Sequence, residues 1–318
     1  MSYENPPTVF VSMATGTQGG ALARLLRGLG WFVKATARDL SRSEALALQR
    51  LGVHLTPGDW DDDDALRAAL AGCTKAFLGY TANLEDFEAA PRRAQTAVRL
   101  AREAGVTQVV CTTTLGCAIL DEGRTPQPDL PTALFACHFA SKRRVEQAIE
   151  EGGFASWTVL RPGFFMANFL EPKVRYGYAD LLERGEWATS LTACGGALGL
   201  VDHEYIARFA AAALANPVRF HKLRAGLVTD LLPVQAALNQ LAAAIGNGRT
   251  LRARFMTDDE IDDAVAQGSW AVFSRERCVR HMHALVDMEE LERLVPGLTT
   301  FEEYLEREKD LVKSTYLS

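Results

Sequence analysis

The 318-residue chain lacks several features that mark common classes of protein. It has no basic excess: 34 Lys and Arg stand against 40 Asp and Glu, so the basic face that nucleic acid requires is not expected. Its six cysteines show no CxxC spacing and are too sparse for a disulfide framework. No apolar stretch is long enough to cross a bilayer, and the opening SYENPP is too polar for a signal peptide. We therefore expect a soluble protein of the cytoplasm or nucleus, with reduced thiols and neither a nucleic-acid nor a membrane partner.

Short apolar runs alternate with helical patterns through the first half of the chain. The spacing predicts strands at 8–13, 32–37, 53–56, 75–80 and 107–113, and a sixth at Trp157–Arg161. Helices are expected near 18–30, 41–52, 62–72, 86–105 and 140–152. This βαβ order predicts an α/β fold, in which a doubly wound parallel sheet is covered by helices on both faces.

The most informative stretch is VFVSMATGTQGG at 9–20, where an apolar strand ends in a glycine-bearing turn before the helix ALARLLRGLG. The first amides of a helix lack intrahelical partners and lie at its positive dipole end, so the turn at Thr15–Gly19 offers N–H donors to phosphate oxygens. Gly16 and Gly19 let the backbone come close to such a ligand. A glycine pair alone also occurs in turns that bind nothing, so the surrounding pattern has to support it.

The end of the second predicted strand gives that support. Arg38 follows Phe32–Ala37, about 20 residues beyond the glycines, where a Rossmann unit contacts the adenosine ribose. An acidic residue there favours NAD, whereas the guanidinium of Arg38 is suited to a 2′-phosphate. We therefore predict NADP(H) as the cofactor; the alternative is a surface arginine that ends a strand.

The second half of the chain has a looser pattern. The aromatic segment from Phe164 to Trp187 is typical of a pocket wall, and ordinary packing between two subdomains is the alternative. Helices are predicted at 202–215, 230–246 and 301–312, with a capping box at Thr257–Glu260. His281 and His283 are two residues apart and would point to different sides, so no metal site is expected.

Several motifs together resemble the NmrA-like family, atypical members of the short-chain dehydrogenase/reductase superfamily. They are MATGTQGG at 13–20, ATAR at 35–38, GDWDD at 58–62, HFASKRRVE at 138–146, LRPGFFMANFL at 160–170 and LTTFEEYLE at 298–306. The resemblance implies an NADP-binding Rossmann domain at 1–163. It also implies a smaller, partly interleaved substrate region at 164–318, from which some elements return to the Rossmann domain.

The resemblance also assigns cofactor contacts by position. It implies that the pyrophosphate is held by Ala14, Thr15, Gly16, Thr17, Gln18 and Gly19, and the 2′-phosphate by Arg38. It places Asp59 and Trp60 at the adenine, Gly79, Tyr80 and Thr81 along the adenosine and ribose, Arg92 at a basic or polar contact, and Phe165, Met166, Ala167 and Asn168 at the nicotinamide and substrate entrance. A strand-end turn is the alternative for Asp59, and a packed core indole for Trp60. Met13 departs from the family, which usually has glycine there, and a positive φ at Met13 would cost on the order of 1 kcal/mol.

The resemblance places the chemistry at Thr113, His138 and Lys142. In the wider superfamily a tyrosine four residues before a lysine delivers a proton, and here His138 takes the tyrosine's position. Burial of Lys142 would lower its pKa enough for proton donation, and the same amine would contact the nicotinamide ribose. His138 is either a proton shuttle or a structural imidazole.

Two classes of function remain open. The first is an NADPH-dependent oxidoreductase that reduces a small apolar substrate at a C=N, C=C or C=O bond. A biosynthetic form of it is a tailoring enzyme of secondary metabolism in which reduction is coupled to cyclisation. The second is an NADP(H)-binding redox sensor or transcriptional regulator without turnover, acting on a protein partner. An apolar pocket beside Lys142 is more than a sensor needs, so the reductase is favoured.

Overall fold

The structure is a computed structural model that describes residues 6–83, 85–121, 133–191, 196–267 and 277–317. The strands are β1 (Thr8–Val11), β2 (Phe32–Ala37), β3 (His54–Pro57), β4 (Lys75–Gly79), β5 (Gln108–Thr112), β6 (Ser156–Pro162), β7 (Phe164–Phe165), β8 (Glu186–Thr189), β9 (Ala197–Val201), β10 (Leu223–Leu227), β11 (Asp230–Pro233) and β12 (Arg252–Phe255). The helices are α1 (Thr17–Gly28), α2 (Ser43–Arg50), α3 (Asp63–Leu70), α4 (Ala89–Glu103), α5 (Ala133–Glu150), α6 (Val174–Gly177), α7 (Ala179–Glu183), α8 (His203–Ala215), α9 (Val234–Ile245), α10 (Asp258–Ala266), α11 (Met288–Leu294), α12 (Phe301–Arg307) and α13 (Lys309–Leu317). Short 3-10 helices lie at Leu115–Leu120, Met166–Phe169 and Arg277–Leu285.

The main sheet has seven strands in the order β10-β6-β5-β4-β1-β2-β3. The pairings from β3 across to β6 are all parallel. The strand order reverses between β1 and β4, and a crevice at the carboxyl ends of such a pair is where open α/β sheets bind ligands. The predicted Rossmann-type α/β fold is confirmed.

The central strands of the main sheet are buried along their length because helices cover both faces. Val9, Phe10 and Val11 of β1 are fully buried, as are Val109, Val110 and Cys111 of β5. Such continuous apolar runs are typical of parallel strands rather than of half-exposed ones. On one side α1 packs against α8, and both helices carry small side chains that allow close approach.

The chain divides into two compact units. The first consists of the described parts of Met1–Cys117, Cys137–Arg161 and His203–Ala225, and the second of those of Ala118–Ala136, Pro162–Asp202 and Gly226–Ser318. The predicted division at residue 163 assigns the cofactor to the first region and the substrate to the second, and this assignment stays a prediction. In the second unit, sheets β11-β9-β7 and β12-β8 accompany a core of Phe169, Trp187, Leu238 and Tyr304.

Two helix predictions in the second unit were wrong in detail. The stretch 230–246 opens as β11, antiparallel to β9, and α9 begins only at Val234, directly after Pro233. The terminal stretch forms two helices, α12 and α13, because the first ends at Arg307 and Glu308 separates it from the second.

The predicted capping box at Thr257–Glu260 is confirmed. The Glu260 N–H donates to the Thr257 hydroxyl at 3.3 Å, and the Thr257 N–H donates to the Glu260 carboxylate at 2.8 Å. Within the described residues, no helix combines the length and the apolar character needed to span a membrane.

Candidate functional site: a glycine cradle and a buried lysine

The turn between β1 and α1, from Met13 to Gly19, is called the cradle turn. Its backbone is closed by the Gly16 N–H, which donates to the Met13 carbonyl at 2.8 Å. Gly16 precedes α1 with an extended backbone, and no side chain caps the helix there. The first amides of this 12-residue helix are therefore left to a ligand or to solvent, and the helix dipole favours an anion at that end.

Gly19 is required in the cradle turn for a steric reason. A Cβ added at this position would clash with the carbonyl oxygens of both Ser12 and Met13, which are backbone atoms that cannot rotate away. At Gly16 a Cβ would lie 3.2 Å from the Met13 oxygen, which is a tight contact. The helix can therefore lie directly on the turn only because these two residues have no side chain.

Met13 adopts the conformation that glycine takes in such turns. Its φ is 51°, in the left-handed region, which costs a non-glycine residue roughly 1–2 kcal/mol. Its side chain crosses to β4, where its Cε lies 2.5 Å from the position of an added Cβ on Gly79. The methyl group of Thr112 lies 2.6 Å from the same position. Gly79 thus leaves room for two side chains at the carboxyl ends of β1, β4 and β5.

Two further polar side chains hold this edge together. The Gly79 N–H donates to the Ser12 hydroxyl at 2.8 Å, so a buried serine ties the end of β1 to the end of β4. The Thr112 hydroxyl donates to the Gln18 side-chain oxygen at 3.0 Å, which ties β5 to α1. Gln18 was predicted from its position in the fingerprint, whereas Ser12 and Thr112 were not. The sequence signal that could have identified them is a hydroxyl-bearing residue at the end of the apolar strands β1 and β5.

Arg38 is exposed directly after β2. Within the described residues its guanidinium has neither a hydrogen bond nor an ion pair, and it is free to receive an anion. The neighbouring Asp39 already accepts from the Ser41 N–H at 2.9 Å and from the Ser41 hydroxyl at 2.6 Å, and these bonds lower the pKa of its carboxyl. The cation rather than the carboxylate is therefore the available charge at this position.

The residues predicted at the adenine also have local roles. Asp59 accepts the Asp61 N–H at 2.9 Å, as in a strand-end turn. The indole of Trp60 packs against the buried ring of Tyr80, with centroids 4.6 Å apart. Burial raises the pKa of Tyr80, and its hydroxyl has no hydrogen-bond partner within the described residues. Their predicted contacts with the cofactor stay predictions.

Thr81 and Arg92 lie on the exposed surface. Thr81 is exposed just beyond β4, and Arg92, in the first turns of α4, forms an ion pair with Asp86 at 2.7 Å. Both side chains of that pair are largely solvent-exposed, so the pair is weak and a ligand could displace it. Their cofactor contacts also stay predictions.

His138, Lys142 and Glu146 repeat every four residues along α5 and share one buried face. Lys142 is 6 % exposed, and its Nζ donates to the Tyr80 carbonyl at the carboxyl end of β4. Burial lowers the pKa of Lys142, because the charged form loses solvation, while the thiols of Cys117 and Cys111 counteract this in part. Lys142 therefore gives up its proton more readily than an exposed lysine does.

The pKa of His138 is lowered as well. Burial, with the nearby Lys142 charge as a second cause, lowers the His138 pKa to about 4. The imidazole is accordingly neutral near pH 7 and has no cationic proton to donate there. The catalytic role of His138 stays a prediction. Lys142 is the group on this helix face that carries a transferable proton.

Thr113 belongs to a buried ionic network. Its hydroxyl donates to Glu146 Oε1 at 2.6 Å, and Arg161 on β6 donates to both carboxylate oxygens of Glu146, at 2.9 and 2.7 Å. Glu146 is fully buried and Arg161 is 2 % exposed. The network fixes α5 to the ends of β5 and β6, one turn from Lys142. The Thr113 hydroxyl is therefore already hydrogen-bonded to Glu146, and its catalytic role stays a prediction. The next hydroxyl, that of half-buried Thr114, makes no hydrogen bond within the described residues.

The residues predicted at the substrate entrance belong to the second unit. Met166 is fully buried in its core, whereas Phe165, Ala167 and Asn168 are half-buried. The Lys173 ammonium lies 5.1 Å from the centroid of the Phe165 ring, and burial lowers its pKa to about 8. This segment therefore combines apolar surface with one cation.

The fold and the cradle turn define a Rossmann-type protein with a turn suited to a dinucleotide phosphate. The chain matches the NmrA-like family over residues 6–305 and belongs to that family. It is 30 % identical to an NAD(P)H azoreductase of Xenophilus azovorans, over 81 % of this chain and 80 % of that protein.

Two solved structures share the fold. Triphenylmethane reductase of Citrobacter sp., complexed with NADP(H), is 20 % identical with a TM-score of 0.69, covering 94 % of this chain and 99 % of that one. The negative transcriptional regulator NmrA, in complex with NADP, is 17 % identical with a TM-score of 0.71 and 98 % coverage of both chains. The predicted NADP(H) cofactor agrees with the names of these three proteins.

Proposed function

We propose that the chain is an NADP(H)-dependent reductase of a small apolar substrate, acting at a C=N, C=C or C=O bond or at an N=N bond. The observation that carries the proposal is the buried Lys142 amine at the end of β4, in the same unit as the cradle turn. The lowered pKa of this amine supports a role in proton transfer, beside its predicted contact with the nicotinamide ribose. The azoreductase relative supports the N=N bond as one target.

The cradle turn fits the phosphates of the cofactor. The uncapped amides of α1 and the close approach that Gly19 allows are suited to the pyrophosphate, and the free guanidinium of Arg38 is suited to the 2′-phosphate. When bound, NADPH supplies a hydride. The chain's own contribution is a proton, which Lys142 Nζ holds in its hydrogen bond to the Tyr80 carbonyl and delivers to the reduced substrate atom.

A narrower form of the proposal is a tailoring enzyme in which reduction is coupled to cyclisation; it uses the same cofactor and the same lysine. The sensor is the weaker candidate. Its support is the likeness to the regulator NmrA, which at 17 % identity bears on the fold alone.

The first test is Lys142→Met, with Lys75→Met as the matched control. Lys75 lies at the opposite end of β4, where its half-buried amine donates to the Leu214 carbonyl at 2.9 Å. NADPH binding is measured by calorimetry, and single-turnover NADPH oxidation is followed with imines, enones, quinones and azo compounds. We expect Lys142→Met to slow oxidation by about 10²–10⁴-fold and Lys75→Met to leave it near the wild-type rate. An unchanged rate in Lys142→Met would overturn the role of the lysine, and a wild-type protein that binds NADPH but oxidises it with none of the panel would favour the sensor.

The second test is Arg38→Ala, measured as the ratio of NADPH to NADH affinity. Loss of a charge-assisted contact with the 2′-phosphate should reduce that ratio by about tenfold to a hundredfold. Arg42→Ala is the control, since Arg42 is an exposed arginine four residues along that lies 3.9 Å from Asp39. A ratio that persists in Arg38→Ala would assign the phosphate to another cation.

A further inference from the structure

The side chain of Met13 lies along the crevice where the strand order reverses. It leaves the end of β1, passes Gly79 at the end of β4 and shares that space with the methyl group of Thr112 on β5. A ligand that spans this edge of the sheet has to cross the same three strand ends. Met13 is half-buried, so part of the residue is accessible to solvent.

The backbone of Met13 keeps the strained conformation although glycine would relieve it. Its φ of 51° and its carbonyl, which accepts the Gly16 N–H, are both parts of the cradle turn. Strain that persists at a ligand-binding turn points to a role for the residue that causes it. What methionine adds over glycine at this position is its thioether chain, whose Cε and Sδ lie beside Gly79.

We infer that Met13 is an oxidation-sensitive contact of the cradle turn, and that converting it to the sulfoxide weakens NADP(H) binding. The inference rests on the proposed binding of NADP(H) to this turn. In the reaction a sulfur lone pair of Met13 attacks one oxygen of hydrogen peroxide, the O–O bond breaks, and water leaves. The sulfur is oxidised by two electrons and the peroxide is reduced by two.

The physical reason for the weakening is the change in polarity at one atom. A thioether is apolar and polarisable and packs well against an aromatic or ribose surface. A sulfoxide is polar and bulkier, and the groups beside it are the backbone of Gly79 and the methyl of Thr112. The Gly79 N–H already donates to the Ser12 hydroxyl, so the new oxygen has no donor in Gly79, and a ligand bound over it would separate it from water.

The experiment compares NADPH affinity before and after peroxide treatment of the full-length protein, and peptide mass spectrometry measures the sulfoxide at residue 13. We expect affinity to fall by about tenfold in the wild type, since one buried polar group is left unpaired. The ratio of treated to untreated affinity should stay near one in Met13→Leu, which cannot form a sulfoxide. Met256→Leu, which removes a half-buried methionine of the second unit, should respond to peroxide as the wild type does.

A second variant removes the dependence on oxidation chemistry. Met13→Gln has a polar end of similar length and should bind NADPH less tightly than Met13→Leu by a similar factor. The inference is overturned if Met13 resists oxidation, if the oxidised protein binds NADPH as before, or if the glutamine and leucine variants bind alike. Failure of the untreated wild type to bind NADPH is a different result, because it would overturn the proposed function itself.

Discussion

The cradle turn and the buried face of α5 lie in the same unit but are built in opposite ways. The cradle turn is backbone: its closing hydrogen bond joins Gly16 to Met13, and Gly19 matters because it has no side chain. The α5 face is built from side chains: Lys142 and Glu146 are both buried, and each is hydrogen-bonded to a residue in or directly after a strand of the sheet. The first region should therefore be sensitive to added atoms, and the second to lost charges.

The largest expected effect sharpens the second half of that comparison. Glu146→Gln breaks the ion pair between Glu146 and Arg161, whose side chains are 0 % and 2 % exposed, and breaking a buried pair costs about 3–5 kcal/mol of unfolding free energy. The control is Glu103→Gln, since Glu103 pairs with Arg99 at 3.0 Å with both side chains about half-exposed. Urea unfolding should give a loss below about 1 kcal/mol there. Equal losses in the two variants would mean that the buried pair does not hold α5.

The next effect tests the cradle turn. Gly19→Ala places a Cβ against two carbonyl oxygens, and overpacking of this kind costs about 1–3 kcal/mol. Gly28→Ala, at the other end of the same helix, adds a Cβ with nothing within 4 Å and should be neutral or stabilising. Thermal unfolding of both variants measures the difference. A neutral Gly19→Ala would show that the turn can move away from the helix.

An effect of similar size concerns the pH dependence of the α5 face. The His138 pKa is lowered from 6.5 to about 4 on folding, so between these values the unfolded chain binds a proton that the folded chain excludes. Stability is therefore lost as pH falls through that window, by about 2 kcal/mol between pH 7.5 and pH 5. His138→Gln should remove that part of the loss, whereas His54→Gln, at an exposed histidine of β3, should keep it. Urea unfolding at the two pH values checks the sign, and a loss of the same size in all three proteins would contradict it.

The architecture of the first unit follows closely from the sequence. Continuous apolar runs separated by helical periods place β1 to β6 within one or two residues, because buried parallel strands need apolar residues on both faces. In the second unit the strands β7, β8, β11 and β12 have two to four residues each, which is too short for any period to appear. Their pairing is decided by tertiary packing instead.

The candidate site divides in the same way. The positions of Gly16, Gly19 and Arg38 at the strand ends could be predicted because they depend on local geometry and on distance along the chain, and their contacts with the cofactor stay predictions. The Glu146–Arg161 pair could not, since its partners lie 15 residues apart on different elements and become neighbours only in the fold. Nor could the sequence decide the conformation of Met13, which depends on the space that Gly79 leaves on another strand.

The first unit has a consequence for biosynthesis. Its third stretch, His203–Ala225, supplies α8, which covers α1, and most of β10, which forms the edge beside β6. The ribosome adds about 5–20 residues per second, so several seconds pass between β6 and β10. Until α8 has been synthesised, the face of α1 that α8 covers lacks that partner. A fragment that stops before His203 accordingly lacks a helix and an edge strand of its own sheet, and this unit folds only after most of the chain has been made.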